Sequence, residues 1–240
     1  MKKNIIVHKA ESRGKADHGW LKSRHTFSFA GYYNPERVNF GALRVLNDDI
    51  VKGGMGFSKH PHDNMEIISI PLLGDLEHKD SMGNTTVISQ NDVQIMSAGT
   101  GVVHSEYNKN KNSEVHFLQI WVFPKERNIT ARYDQKTFLK ADRINKLQTI
   151  VSPDGEDAIK INQDAWFMLG SFEDGNTISY NFRSKNSGLY AFVLEGKFKI
   201  AGQSLEKRDG LGITEVNSIE IEAISNDAEI LLMELPLTGF

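Results

Sequence analysis

The chain has no cysteine, which excludes disulfides, thiolate metal sites, iron–sulfur clusters and cysteine nucleophiles; any metal must be held by imidazole, carboxylate or water. No apolar stretch approaches the ~20 residues of a membrane span, and the opening MKKNIIVHKAESRGK contains only the short apolar run IIV, too little for a secretory core. Positive charge is not in excess either. Lys and Arg number 28 against 31 Asp and Glu, a net charge of −3, so no global field draws the chain to phosphate backbones or anionic lipid. These absences predict a cytoplasmic protein that touches neither nucleic acid nor membrane. The most informative gap is positional: of eight histidines, none lies beyond His116. Imidazole chemistry is therefore confined to the first half of the chain.

What is present is the composition of a soluble globular protein, 39% hydrophobic and 25% charged over 240 residues, enough chain to bury a substantial core. Short alternating or apolar runs are broken by Gly, Asn and Asp, the pattern of strands joined by turns, and an all-β fold is expected. Strands are predicted at residues 41–46, 65–73, 85–88, 93–96 and 115–123, with a hairpin turn at residues 78–84 in which Gly83 and Asn84 suit positive φ. A second strand series follows residue 166. IPLLGDLEH around Gly74 is echoed by FVLEGKFKIAG around Gly196, each followed by a turn carrying an aspartate, Asp92 and Asp209. Two β-barrel modules are expected, residues 1–124 and 149–240, joined by a polar linker at 125–148 that holds a helical turn.

The chemistry-bearing constellation lies in the first module. GMGFSKHPHDNMEII places His60 and His62 at i and i+2 beside a strand, on one face, with Pro61 stiffening the spacing. SAGTGVVHSEYN repeats the device with His104 and Glu106, after a turn that Gly99 and Gly101 permit. Facing one another, the two pairs supply three imidazoles and a carboxylate, a donor set for Fe(II), Mn, Co, Ni, Cu or Zn. Spacing leaves Glu66 and Glu106 both open as the carboxylate. His25 and His116 read as packed histidines and His78, in the expected turn, as exposed. Phe27, Phe29, Phe40 and Phe57 read as core, although they could line a pocket.

Two motifs carry a family resemblance. Gly54-x5-His60-x-His62-x3-Glu66-x7-Gly74 resembles the first cupin motif with its last gap one residue longer, and Gly101-x2-His104-x3-Asn108 resembles the end of the second. There Gly99 stands where proline is usual and Asn91 where a turn glycine precedes aspartate; Asn tolerates positive φ better than most residues. The longer strings RGKADHGWLKSRHTFSFAGYY, ALRVLNDDI, HPHDNMEI, EHKDSMGN, VQIMSAGTGVVHSEYN and QIWVFP make the chain similar to bacterial pirin-like proteins, a bicupin family related to proteins known as quercetin dioxygenases. The resemblance implies two cupin-type jelly-roll barrels with one metal in the first. It implies the ligands His60, His62, His104 and Glu106, with Fe(II) foremost and Zn, Ni, Co, Mn or Cu as alternatives. Glu66 is left a supporting role. The implied activity is oxygenolytic ring cleavage of a flavonol such as quercetin with release of carbon monoxide, Glu106 acting as catalytic base, a small aromatic substrate and dioxygen as partners, and a monomer as the working form. The alternative it implies is a non-enzymatic iron-binding redox sensor that docks a partner protein.

Overall fold

Strand segments of this chain are short alternating or continuous apolar runs, many of them ending at residues that accept left-handed backbone, so they pair rather than coil. The computed structural model describes residues 4–240 and is all-β, with two short 3₁₀ turns, Ala10–Ser12 and Lys140–Arg143. Among the described residues no helix is long and apolar enough to cross a membrane. The chain divides into two compact units. In chain order the strands are β1 (Asn4–His8), β2 (Gly14–Asp17), β3 (Leu21–His25), β4 (Leu43–Val51), β5 (Gly56–His62), β6 (Glu66–Leu73), β7 (Leu76–Asp80), β8 (Thr85–Ile88), β9 (Asp92–Ser97), β10 (Val102–Asn108), β11 (Val115–Val122) and β12 (Arg132–Thr137). The second series is β13 (Lys146–Ser152), β14 (Ile159–Lys160), β15 (Trp166–Phe172), β16 (Thr177–Asn181), β17 (Ser187–Glu195), β18 (Lys197–Ile200), β19 (Gln203–Glu206), β20 (Gly210–Thr214), β21 (Ser218–Ala223) and β22 (Ala228–Pro236).

Each unit has a seven-stranded and a four-stranded sheet. In one the orders are β12-β9-β6-β11-β4-β3-β2 and β5-β10-β7-β8; in the other, β1-β20-β17-β22-β15-β13-β14 and β16-β21-β18-β19. The orders correspond strand for strand over most of their length, which is the repeat visible in the sequence. Its turns match in detail. Gly74 and Gly196 have φ of 77° and 69°, and Asn91 and Arg208, preceding the two aspartates, have φ of 75° and 68°. Asp92 accepts the Ser89 amide and Asp209 the Glu206 amide, both at 2.9 Å. Gly83 has φ 96° as expected, whereas Asn84 is not among the positive-φ residues.

Two pairings cross the boundaries expected at 124 and 148. β12, inside the expected linker, hydrogen-bonds β9 from Arg132↔Ser97 to Thr137↔Asp92, as an edge of the first unit's sheet. β1, at the start of the chain, pairs β20 and belongs to the second unit. Both are edge strands placed by partners far away in sequence, and local patterning carries no mark of such a choice.

Candidate metal centre

In the first unit the inward faces of the two sheets confront each other. His104 on β10 pairs His60 on β5 and Asp80 on β7, and Glu106 pairs Phe57 and His78. A β-bulge on β5 lies between the His104 and Glu106 registers. It lets Phe57 and His60, three residues apart, meet alternate residues of β10, and the Ser58 carbonyl accepts His60 Nδ1–H at 2.7 Å. That bond fixes the tautomer and leaves Nε2 with a free lone pair.

The imidazoles of His60, His62 and His104 cluster, with ring centroids 4.4–4.9 Å apart. Their nitrogen atoms lie within 4.8 Å of one another, and a second group under the same limit joins His104, Glu106 and His78. His104 is common to both. It is 1% exposed, and among the described residues neither of its ring nitrogens has a hydrogen-bond partner. Burial, then the neighbouring His60, lowers His62 to about 4, and the same causes hold His104 well below its ordinary value. His62 and His104 are therefore neutral at neutral pH, the protonation state that metal ligation requires. The orphaned nitrogens and the nitrogen-plus-carboxylate donors fit a divalent transition metal.

Glu106 is cradled from the seven-stranded sheet: Ser69 Oγ donates to Oε1 at 3.1 Å and Gln119 Nε2 to Oε2 at 2.9 Å. Burial pushes its carboxyl up to about 7 against those two bonds. Glu66 is on the opposite face of β6 from Ser69, since its parity along the strand is opposite. Its partners are Ser97 Oγ at 2.7 Å and the Asn162 amide at 3.1 Å. Residue spacing had left it open as a ligand because the inward face of β6 is not evident when both faces are apolar.

His78 departs from expectation. It is buried, because the segment EHKD is strand β7 rather than turn. Its Nε2–H donates to Asp80 Oδ2 at 2.9 Å, its ring stacks on Tyr133 at 4.8 Å, and Nδ1 has no partner among the described residues. Burial lowers its pKa despite Asp80, so the contact joins a neutral imidazole to a carboxylate. His116 pairs with Asp48, and His25 packs edge-on against Phe29.

Beside the cluster a cavity of about 800 Å³ is walled by Trp20, Phe29, Tyr32, Phe57 and Trp121, with His60 and His62 on its surface. Phe29 and Phe57 thus line a pocket, while Phe27 and Phe40 are buried. One level of the seven-stranded sheet is polar across six of its strands: His25, Asn47, Gln119, Ser69, Gln94 and Gln135 are successive cross-strand neighbours. Sequence reasoning missed this row. Its signal was a lone polar residue at an inward position of an apolar strand, as in EIISIPLL and VHFLQIWV. The second unit carries Thr149, Met168, Leu232, Ala191, Leu211 and Val7 in the equivalent row. Counted from Gly74 and Gly196, the counterparts of His78, His104 and Glu106 are Ile200, Ile219 and Ile221, all in its apolar core.

Fold and site together define a two-barrel cupin protein with a candidate metal centre in one barrel. Comparison with known proteins agrees: the pirin family profile matches residues 6–122, and that of the quercetinase C-terminal cupin domain matches 149–235. Quercetin 2,3-dioxygenase of Escherichia coli K12 is 43% identical over 237 residues, covering 97% of this chain and 99% of the relative. A pirin-like protein of Caulobacter vibrioides is 41% identical, covering 92% and 95%. Among solved structures, the bacterial pirin YhhW from Escherichia coli in complex with nickel(II) superposes with a TM-score of 0.93 at 41% identity, covering 98% of this chain and all of that one. The chain belongs to the pirin family.

Proposed function

We propose that this protein is a metal-dependent dioxygenase that opens the ring of a flavonol such as quercetin with loss of carbon monoxide. His60, His62, His104 and Glu106 would hold one divalent transition metal, Fe(II) foremost. The observation that carries the reading is an imidazole cluster beside a buried carboxyl, with two of its rings on the wall of a large cavity that five aromatic side chains help to line, within the size range of small-molecule sites. The names of the quercetin 2,3-dioxygenase relatives support the substrate class.

When bound, the metal supplies Lewis acidity and, for iron, redox access to dioxygen. The chain's residues do the rest. Trp20, Phe57 and Trp121 hold a planar ring system and keep water out. Glu106, held at the foot of the site, takes the proton of the flavonol hydroxyl as general base. Ser69 and Gln119 fix both carboxylate oxygens while it does so. Both atoms of dioxygen enter the organic products, and one ring carbon leaves as carbon monoxide with its own oxygen.

The test is reconstitution with several divalent metals, following quercetin absorbance with and without oxygen while measuring carbon monoxide. Turnover that needs both metal and oxygen is expected, with metal content lost in His60→Ala and His104→Ala and reduced in Glu106→Gln. Metal uptake without flavonol turnover would move the protein to the class of metal-responsive binding proteins.

A further inference from the structure

The cavity has a second polar wall that the metal chemistry does not use. The candidate ligands are on β5 and β10 of the four-stranded sheet, whereas Ser23, Asn47 and Asp49 reach the cavity from β3 and β4 of the seven-stranded sheet. Each is buried, Asp49 and Asn47 to 2% exposure. Ser23 and Asp49 are direct cross-strand neighbours, with Phe117 on the far side of Asp49. Among the described residues, Oδ1 of Asp49 and Oδ1 of Asn47 have no hydrogen-bond partner. Leaving a buried acceptor unpaired forfeits its hydration without return, so unpaired acceptors on a cavity wall point to a ligand.

The architecture itself does not call for them. In the second unit the positions equivalent to Ser23, Asn47 and Asp49 are Leu147, Met168 and Gly170, on the same strand register. The same sheet is thus built without a polar group at any of the three places.

We infer that Ser23, Asn47 and Asp49 form a second recognition site in the cavity, which binds a phenolic hydroxyl of the substrate remote from the hydroxyl that reaches the metal. This rests on the aromatic-substrate reading above. A phenol both donates and accepts, and so does the site: Asn47 Oδ1 accepts, and burial pushes the Asp49 carboxyl up to about 7, where it carries a proton part of the time. A ligand lacking that hydroxyl leaves these groups dry and unpaired, which is how a site built for a hydroxyl rejects its deoxy analogue.

Trp20 and Trp121 line the same cavity, so tryptophan quenching reports its occupancy. The experiment titrates zinc-loaded protein, without oxygen, with quercetin and with 3-hydroxyflavone, which keeps only the hydroxyl beside the carbonyl. Wild type is expected to bind quercetin at least about tenfold more tightly, one strong hydrogen bond's worth. In Asp49→Leu and Asn47→Leu the ratio is expected to fall toward one, with zinc content and far-ultraviolet circular dichroism reporting the fold. Ser23→Ala, a smaller change, keeps the test decisive if a leucine variant does not fold; it is expected to reduce the ratio. Equal binding of the two ligands by wild type, binding of neither, or an unchanged ratio in the folded variants overturns the site. A preserved binding preference without metal- and oxygen-dependent turnover overturns the dioxygenase reading instead.

Discussion

A carboxyl group on the inner wall of a β-barrel has an energetic cost that depends on pH, and Asp49 makes that cost measurable. Burial raises it from an ordinary 3.8 to about 7, opposed by the Ser23 hydroxyl and reinforced by the charges of Asp48 and Glu106. Below pH 3.8 the carboxyl is protonated whether or not the chain is folded, and it exacts nothing. Between pH 4 and 7 the unfolded chain has lost a proton that the native protein keeps, so native stability falls as pH rises, levelling off above pH 7 at a cost on the order of 4 kcal/mol. Asp49→Asn removes this dependence. Thermal unfolding of metal-free protein should show the variant gaining on wild type from pH 4 to pH 8, with the gain concentrated between 4 and 7; parallel stability curves would show that Asp49 is ionised throughout. The proposed ligands were legible because chelating pairs advertise themselves by spacing, as His60 with His62 and His104 with Glu106 do. Residues such as Asp49, Ser69 and Gln119 were not, because their meaning comes from neighbours on other strands.

Turns and bulges decide where those side chains end up. The Gly99–Gly101 turn delivers β10, and with it His104 and Glu106. Gly99 has φ 47°, and a Cβ there would lie 2.1 Å from the Ile129 carbonyl oxygen, where the segment before β12 passes. Both a left-handed backbone and a close approach exclude a side chain. Gly99→Ala is therefore expected to destabilise by about 2 kcal/mol or more, lowering the melting temperature on the order of 5 °C, and to reduce bound metal as the start of β10 shifts. Unchanged melting and full metal occupancy would show that the turn relaxes freely. This turn was readable from its glycines, as was the left-handed Asn91. Strand β7 was not: His78, Lys79 and Asp80 fell in the turn expected at residues 78–84, yet they belong to a strand paired on both sides, and its alternation carries His78 inside. A polar strand facing a polar lumen loses the apolar alternation by which strands are recognised.

The two units differ more in what fills them than in how they are strung. All-β architecture and a twofold repeat followed from alternation and from the recurring Gly and Asp turns, but the segmentation did not, because one seven-stranded sheet runs on past the expected boundary to β12 and the other takes its edge strand from the far end of the chain. β12 follows the first repeat directly, whereas its counterpart β1 comes from the other end of the chain and completes a sheet whose remaining strands begin at residue 146. Ile5 and Val7 pack on the second unit's apolar core, Lys9 pairs with Asp209 at 2.7 Å, and His8 Nδ1 is 2.8 Å from the Tyr190 hydroxyl. Deleting residues 1–9 should therefore weaken the unit that contains no histidine of its own beyond the deleted His8, and leave the candidate metal donors of the other unit in place. The expected outcome is faster amide hydrogen exchange in β20 and β17, by at least about tenfold for a loss of 1.4 kcal/mol, a lower first unfolding transition, and metal content equal to wild type. Loss of metal together with the exchange protection of β20 would show that the two units fold as one cooperative body; unchanged exchange in β20 would show that β1 contributes nothing to the sheet it completes.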